Sequence, residues 1–141
     1  MHTIEPVVPA PDRYSAFFWE ATREHRLDIL RCDDCGFYVH WPRPVCKRCL
    51  SESLSPSTVS GRGHVYTFTV CEQAFHPWFD ARLPYVLAVI ELEEQPGLKL
   101  VSNVVDIEPT AIQCGMAVEV TFADIGDAVL PLFRPAEGGE Q

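Results

Sequence analysis

The 141-residue sequence predicts a mainly β protein with a single helix, and three observations carry that reading. A stretch free of proline and glycine runs from Asp12 to about Leu27, four cysteines stand as Cys32-x-x-Cys35 and Cys46-x-x-Cys49, and five short apolar segments follow Gly61, separated by turns bearing proline or glycine. Composition bounds the alternatives: 47% apolar and 11% aromatic residues suit a folded core, and 22% charged residues are too few for a disordered polyelectrolyte. The longest apolar run is about one strand long, short of the roughly 18 residues a membrane span requires. Met1 to Pro6 lacks the basic region and apolar stretch of a secretory signal. The expectation is a globular cytoplasmic chain with no membrane partner.

Taken in order, residues 1–11 contain Pro6, Pro9 and Pro11 and read as an extended arm leading into one amphipathic helix from Asp12, an N-cap residue type, to about Leu27. Tyr14, Phe17, Phe18, Ala21 and His25 share a stripe of that helix, while Trp19 lies about 200° from Phe17. Either the helix is buried between two modules, or Trp19 marks a partner surface.

Residues 28–50 carry the cysteines, with Asp28 to Arg31 leading into the first pair and Phe37 to Trp41 forming a strand between the pairs. A Cys-x-x-Cys turn points two thiolates at one centre about 2.3 Å away, and a second such turn completes the tetrahedron Zn²⁺ prefers. Disulfides or a redox pair are the competing readings, and a reducing cytosol disfavours the first. Four sulfurs leave no open position, so the predicted metal is structural and supplies folding free energy that so small a piece lacks. Cys71 and Cys114 fall in or beside apolar segments and read as small buried hydrophobes rather than nucleophiles.

Residues 51–60 hold five serines and one proline and read as a linker or loosely held loop. From Gly61 the period becomes two: His64 to Val70 alternates, as a half-buried strand does, and Tyr85 to Ile90 is continuously apolar, which predicts a strand covered on both faces. Segments 98–105, 116–122 and 128–133 supply three more strands. Five short strands over 61–135 suit a small closed barrel of the OB-fold type. The tail, 136–141, reads as acidic and disordered.

Several segments occur here in the order of a known family: Arg31-Cys32-x-x-Cys35-Gly36, Pro42-Arg43-Pro44-Val45-Cys46-x-x-Cys49, Gly61-Arg62-Gly63, Pro84 to Leu92, Gly115 to Val120, and Leu132-Phe133-Arg134-Pro135. From about Tyr14 to Pro135 the chain resembles the zinc-ribbon plus OB-fold family of acyl-CoA-associated proteins, long labelled a domain of unknown function. The resemblance implies an N-terminal helix, a rubredoxin-like ribbon and an OB barrel. It also implies a non-catalytic subunit that accompanies a thiolase-superfamily enzyme (thiolase, aldolase or acyltransferase) and helps hold or channel the acyl-CoA. Some members are instead fused to a hotdog-fold hydratase.

The residues themselves show no nucleophile flanked by a base, no glycine-rich phosphate loop and no convincing carboxylate pair. The segment 74–84 instead places Phe75, Trp78 and Phe79 in an expected loop, where they either touch a partner or acyl channel or close the barrel mouth; His76 beside them is a general base or simply solvated. Arg43, Lys47 and Arg48 form a small basic cluster that reads as a solvated face, a CoA-phosphate contact or a contact to single-stranded nucleic acid. The last is the alternative function, since zinc ribbons and OB folds both bind nucleic acid elsewhere. Charge argues against it: residues 61–141 hold four Lys/Arg against twelve Asp/Glu, a net of −8 where a phosphate backbone needs a cationic groove.

Overall fold

The computed structural model describes residues 9–73 and 77–136, with the side chains of 79–81 outside the description. Helix α1, Ala16–Arg23, is shorter than the breaker-free stretch because a separate turn precedes it and a left-handed cap closes it early. At the front, Asp12 folds a turn of its own: its Oδ1 accepts the amides of Tyr14 and Ser15, both at 2.9 Å, while Ser15 Oγ accepts the Asp12 amide at 3.1 Å. At the back, the Arg26 amide reaches Ala21 O and the His25 amide reaches Thr22 O, both at 2.9 Å. His25 takes the left-handed conformation this cap requires, φ 60°, and its ring stacks on Phe122 at 5.1 Å. A stacked side chain here stands where glycine is usual, which is why no composition signal marks the helix end.

Strands β1 (Asp28–Cys32), β2 (Tyr38–Val39) and β3 (Leu54–Thr58) form an antiparallel sheet in the order β2-β1-β3. The serine-rich stretch 51–60 is therefore not a loose linker: β3 pairs with β1 along its whole length, from Asp28 opposite Thr58 to Cys32 opposite Leu54. It is an edge strand, where the missing N–H of Pro56 is tolerated, and Thr58 Oγ1 ties it to Asp28 at 2.6 Å. The predicted strand over 37–41 shrinks to two residues.

The barrel comprises β4 (Arg62–Cys71), β5 (Tyr85–Leu92), β6 (Lys99–Val104), β7 (Ala117–Ile125) and β8 (Ala128–Pro135), closed in the order β4-β5-β6-β8-β7. Glycines permit the closure. A Cβ on Gly63 would stand 2.3 Å from Glu91 O, and one on Gly61, at φ 81°, would stand 2.2 Å from Val120 Cγ1. Strand β5 departs from its predicted burial. Val86, Ala88, Ile90 and Leu92 face the core, but Leu87 is 38% exposed, so the apolar run is covered on one face only.

Helix and ribbon share the barrel's core: Phe18, Leu27 and Ile29 lie in one cluster with Val65, Ile90, Val118 and Phe133. Two polar ties reinforce that junction. The Gln95 side chain accepts the Tyr38 amide at 2.9 Å and donates to Tyr38 O at 3.1 Å, completing the free edge of β2 as a neighbouring strand would, and the Val59 amide reaches Leu27 O at 2.9 Å. No helix among the described residues is long and apolar enough to cross a membrane.

Candidate metal centre and contact surfaces

The two knuckles bring Cys32, Cys35, Cys46 and Cys49 together, with all four sulfurs within 4.8 Å of one another. Cys32 Sγ lies 3.5 Å from Cys49 Sγ, and Cys35 Sγ 3.7 Å from Cys46 Sγ. Four sulfurs about 2.3 Å from one tetrahedral ion stand about 3.8 Å apart, so the donor set fits a divalent metal in type and size. Amides prepare it for anionic sulfur: the Cys35 amide faces Cys32 Sγ at 3.5 Å and the Arg48 amide faces Cys46 Sγ at 3.4 Å.

The thiols respond unequally. The Cys35 amide draws Cys32 down to about 7. Burial opposes the Cys46 thiolate, yet the amides of Cys49 and Arg48 leave that thiol lowered. The Ser51 amide favours a Cys49 thiolate, but the crowded sulfurs of Cys32, Cys35 and Cys46 push it up to about 12. Four thiolates this close cannot all ionise unless a cation shares them, which is the electrostatic signature of a metal site. With four ligands supplied by protein, no position is left for substrate.

The other sequence candidates are dispersed. Trp78 lies on the 3-10 turn Pro77–Arg82, half-buried, with the Arg82 guanidinium 3.4 Å from its ring centre and Arg82 Nη1 donating to its carbonyl at 2.6 Å. With Tyr85, Val104, Ile107 and Leu130 it lines an apolar cleft of about 410 Å³. Phe75 and His76 lie outside the described residues, as does the Phe79 side chain. The chain from Glu137 onward is outside them too. Trp19 sits elsewhere, edge-on to Phe18 at 4.8 Å, in a second cleft.

Arg43, Lys47 and Arg48 are exposed beside the knuckles without an ion pair among the described residues, and Arg48 stands 5.9 Å from the Phe37 ring. Cys71 ends β4 half-buried opposite Tyr85, whereas Cys114 is exposed in the turn before β7, against the expectation that both are buried. Sequence reasoning passed over His40 and Trp41. It assigned them to a strand, but they leave the sheet and pack on Phe18, with ring centres 5.7 Å away in both cases. The available signal was Pro42, which follows a histidine and a tryptophan and ends the strand.

Fold and site together define a metal-ribbon protein with an appended OB barrel. The family model described as the ChsH2 rubredoxin-like zinc ribbon domain matches residues 19–55, and that described as the ChsH2 C-terminal OB-fold domain matches 57–123. A DUF35 domain-containing scaffold protein of Methanocaldococcus jannaschii is 36% identical over 84% of this chain and 89% of its own length. The chain belongs to this DUF35 family. A probable enoyl-CoA hydratase alpha subunit of Thermomonospora curvata is 39% identical over 94% of the chain. The 3-oxo-4,17-pregnadiene-20-carboxyl-CoA hydratase alpha subunit of Mycobacterium tuberculosis is 33% identical over 92%. The chain spans about two fifths of the length of these two relatives, 41% and 40%. A chain of the solved structure described as the Ltp2-ChsH2(DUF35) aldolase superposes with a TM-score of 0.82 at 39% identity, covering 91% of this chain and 98% of that one.

Proposed function

We propose that this chain is a non-catalytic accessory subunit, a metal-stapled scaffold that binds a thiolase-superfamily enzyme and helps hold or channel its acyl-CoA substrate. The observation that carries the reading is its likeness to a chain of an aldolase described by two components, over 98% of that chain. The hydratase alpha subunits and scaffold proteins among its relatives support the same role. We assign the metal as Zn²⁺, which favours a closed four-sulfur tetrahedron and brings no redox chemistry. Free thiols at Cys71 and Cys114 suit a reducing cytosol.

In this proposal the segment bearing Phe75, His76, Trp78 and Phe79 meets the partner or the acyl chain, with Trp19 a further contact. Arg43, Lys47 and Arg48 face the phosphates of CoA. Single-stranded nucleic acid is disfavoured, because the barrel segment 61–141 carries a net charge of −8.

The test is to tag the protein in its native cells, isolate it gently and identify by mass spectrometry whatever accompanies it in near-stoichiometric amount. A thiolase, aldolase or acyltransferase chain is expected. Recovery of the 15.9 kDa chain alone at every salt concentration overturns the subunit reading.

A further inference from the structure

A second cleft, unconnected with the metal, lies where the helix, the ribbon and the barrel meet. Phe18 and Trp19 of α1 and the turn His40–Trp41 form one side, and residues of β6 and β8, among them Val101 and Leu130, form the other. Its volume is about 430 Å³. That lies within the roughly 300–1,000 Å³ typical of small-molecule sites, which are largely apolar with a few placed polar groups. Trp41 is 47% and Val101 66% exposed, so apolar surface faces water here at a cost that an occupant would remove.

One charged group gives this cleft a chemical preference. In a chain of net charge −9, Lys99 is the one charged residue lining it. Its register neighbour Glu91 lies 3.0 Å from His64 Nε2, and Lys99 Nζ rests instead over the Tyr66 ring, 3.7 Å from its centre. Among the described residues Lys99 makes no ion pair with a carboxylate. His40 also lines the cleft, but its Nδ1 is enclosed by protein and is not open to an occupant. Burial draws the His40 imidazole down to about 4, so it is neutral at pH 7 and leaves Lys99 as the cleft's only charge.

We propose that this cleft binds a small amphipathic anion, an aromatic or branched apolar body with one carboxylate, the body against Trp19 and Trp41 and the carboxylate on Lys99. One cation is too few for a polyphosphate, and a cationic ligand would meet Lys99 head-on. The inference goes beyond the subunit reading, because it requires no second chain and stands if no partner enzyme is found.

The experiment titrates the full metal-loaded protein with naphthalene-1-acetate and, separately, with its neutral isostere naphthalene-1-acetamide. Tryptophan fluorescence and the ¹H–¹⁵N indole signals of Trp19, Trp41 and Trp78 are followed. Saturable binding of the acid is expected, with shifts at Trp19 and Trp41 and none at Trp78, which lines the other cleft. The amide binds about tenfold more weakly, the scale of one charge-assisted hydrogen bond. Lys99→Gln weakens the acid by a similar factor, and Arg82→Gln leaves it unchanged. Equal affinity for acid and amide, shifts centred on Trp78, or no saturation overturns the proposal without reliance on any variant.

Discussion

The barrel supplies most of the shared core, with Val65, Ile90, Val118 and Phe133 at or near zero exposure, whereas the ribbon's buried aliphatic residues are Ile29, Leu30 and Val39. Two more of the ribbon's buried positions, Cys32 and Cys46, belong to the four-sulfur donor set of the candidate metal centre. Charge divides along the same line: residues 1–60 hold seven Lys/Arg and eight Asp/Glu, while 61–141 hold four and twelve. One module thus pairs few aliphatic contacts with a candidate metal centre and is nearly neutral, and the other is filled by its own apolar residues and is strongly acidic. Because the sources of stability differ, each module can be disturbed while the other is watched.

The largest expected effect comes from the metal. Cys32→Ser leaves three sulfurs and a ribbon that cannot replace about 10–16 kcal/mol of metal binding, the scale seen in isolated finger peptides, with its few aliphatic contacts. Hydrogen exchange should show β1, β2 and β3 losing protection while β5 and β6 keep theirs, alongside loss of bound metal. Soluble yield and partner binding should fall together. A variant that retains ribbon protection would break the contrast, since packing alone would then suffice.

His40 gives the next effect, at the boundary between the modules. Its folded pKa, about 4, lies below its ordinary 6.5 because burial penalises the imidazolium. The unfolded chain therefore takes up the proton first. The stabilisation is fully present above pH 6.5 and is lost as pH falls through the window to 4. A shift of that size corresponds to about 3 kcal/mol. Urea unfolding of the wild type and His40→Phe across this window should show the difference between the two changing by that order, and parallel profiles would refute the burial of a neutral imidazole.

The reverse of the metal experiment is Gly63→Ala. The added Cβ meets the Glu91 carbonyl oxygen at 2.3 Å, and a backbone atom of the β4–β5 ladder cannot step aside as a side chain does. Overpacking of this kind costs about 1–3 kcal/mol. The expected result is a lower urea midpoint with metal content unchanged. Loss of metal with the barrel would mean that the two modules fold only as one.

What the sequence made legible follows from how local each signal is. The cysteine spacing defines a site within 18 residues, and the five strands announce themselves by alternation and turn residues. Strand β3 was invisible because serine and Pro56 read as a linker, and only the pairing with β1 makes them a strand. The apolar run of β5 suggested two covered faces, since nothing local says that Leu87 points off the barrel. The cleft of Trp19, His40, Trp41 and Lys99 was equally hidden: its residues come from three elements up to 80 positions apart, and only the packing of helix and ribbon on the barrel joins them.

The smallest effect tests the joint itself. Gln95 serves the Tyr38 amide and carbonyl with a single side chain, so Gln95→Ala leaves both groups of a half-buried strand edge unpaired without touching the shared core. The expected loss is about 1–2 kcal/mol. Its location is more informative than its size: exchange at the Tyr38 amide should accelerate, while amides from Val86 to Val104 and the bound metal stay as they were. Gln95→Glu sharpens the reading, because a carboxylate still accepts from the Tyr38 amide but cannot donate to the Tyr38 carbonyl and repels it instead. If Glu restored wild-type stability, the bridge would be worth only its acceptor half, and the apolar cluster of Phe18, Leu27 and Ile29 would be what couples ribbon to barrel.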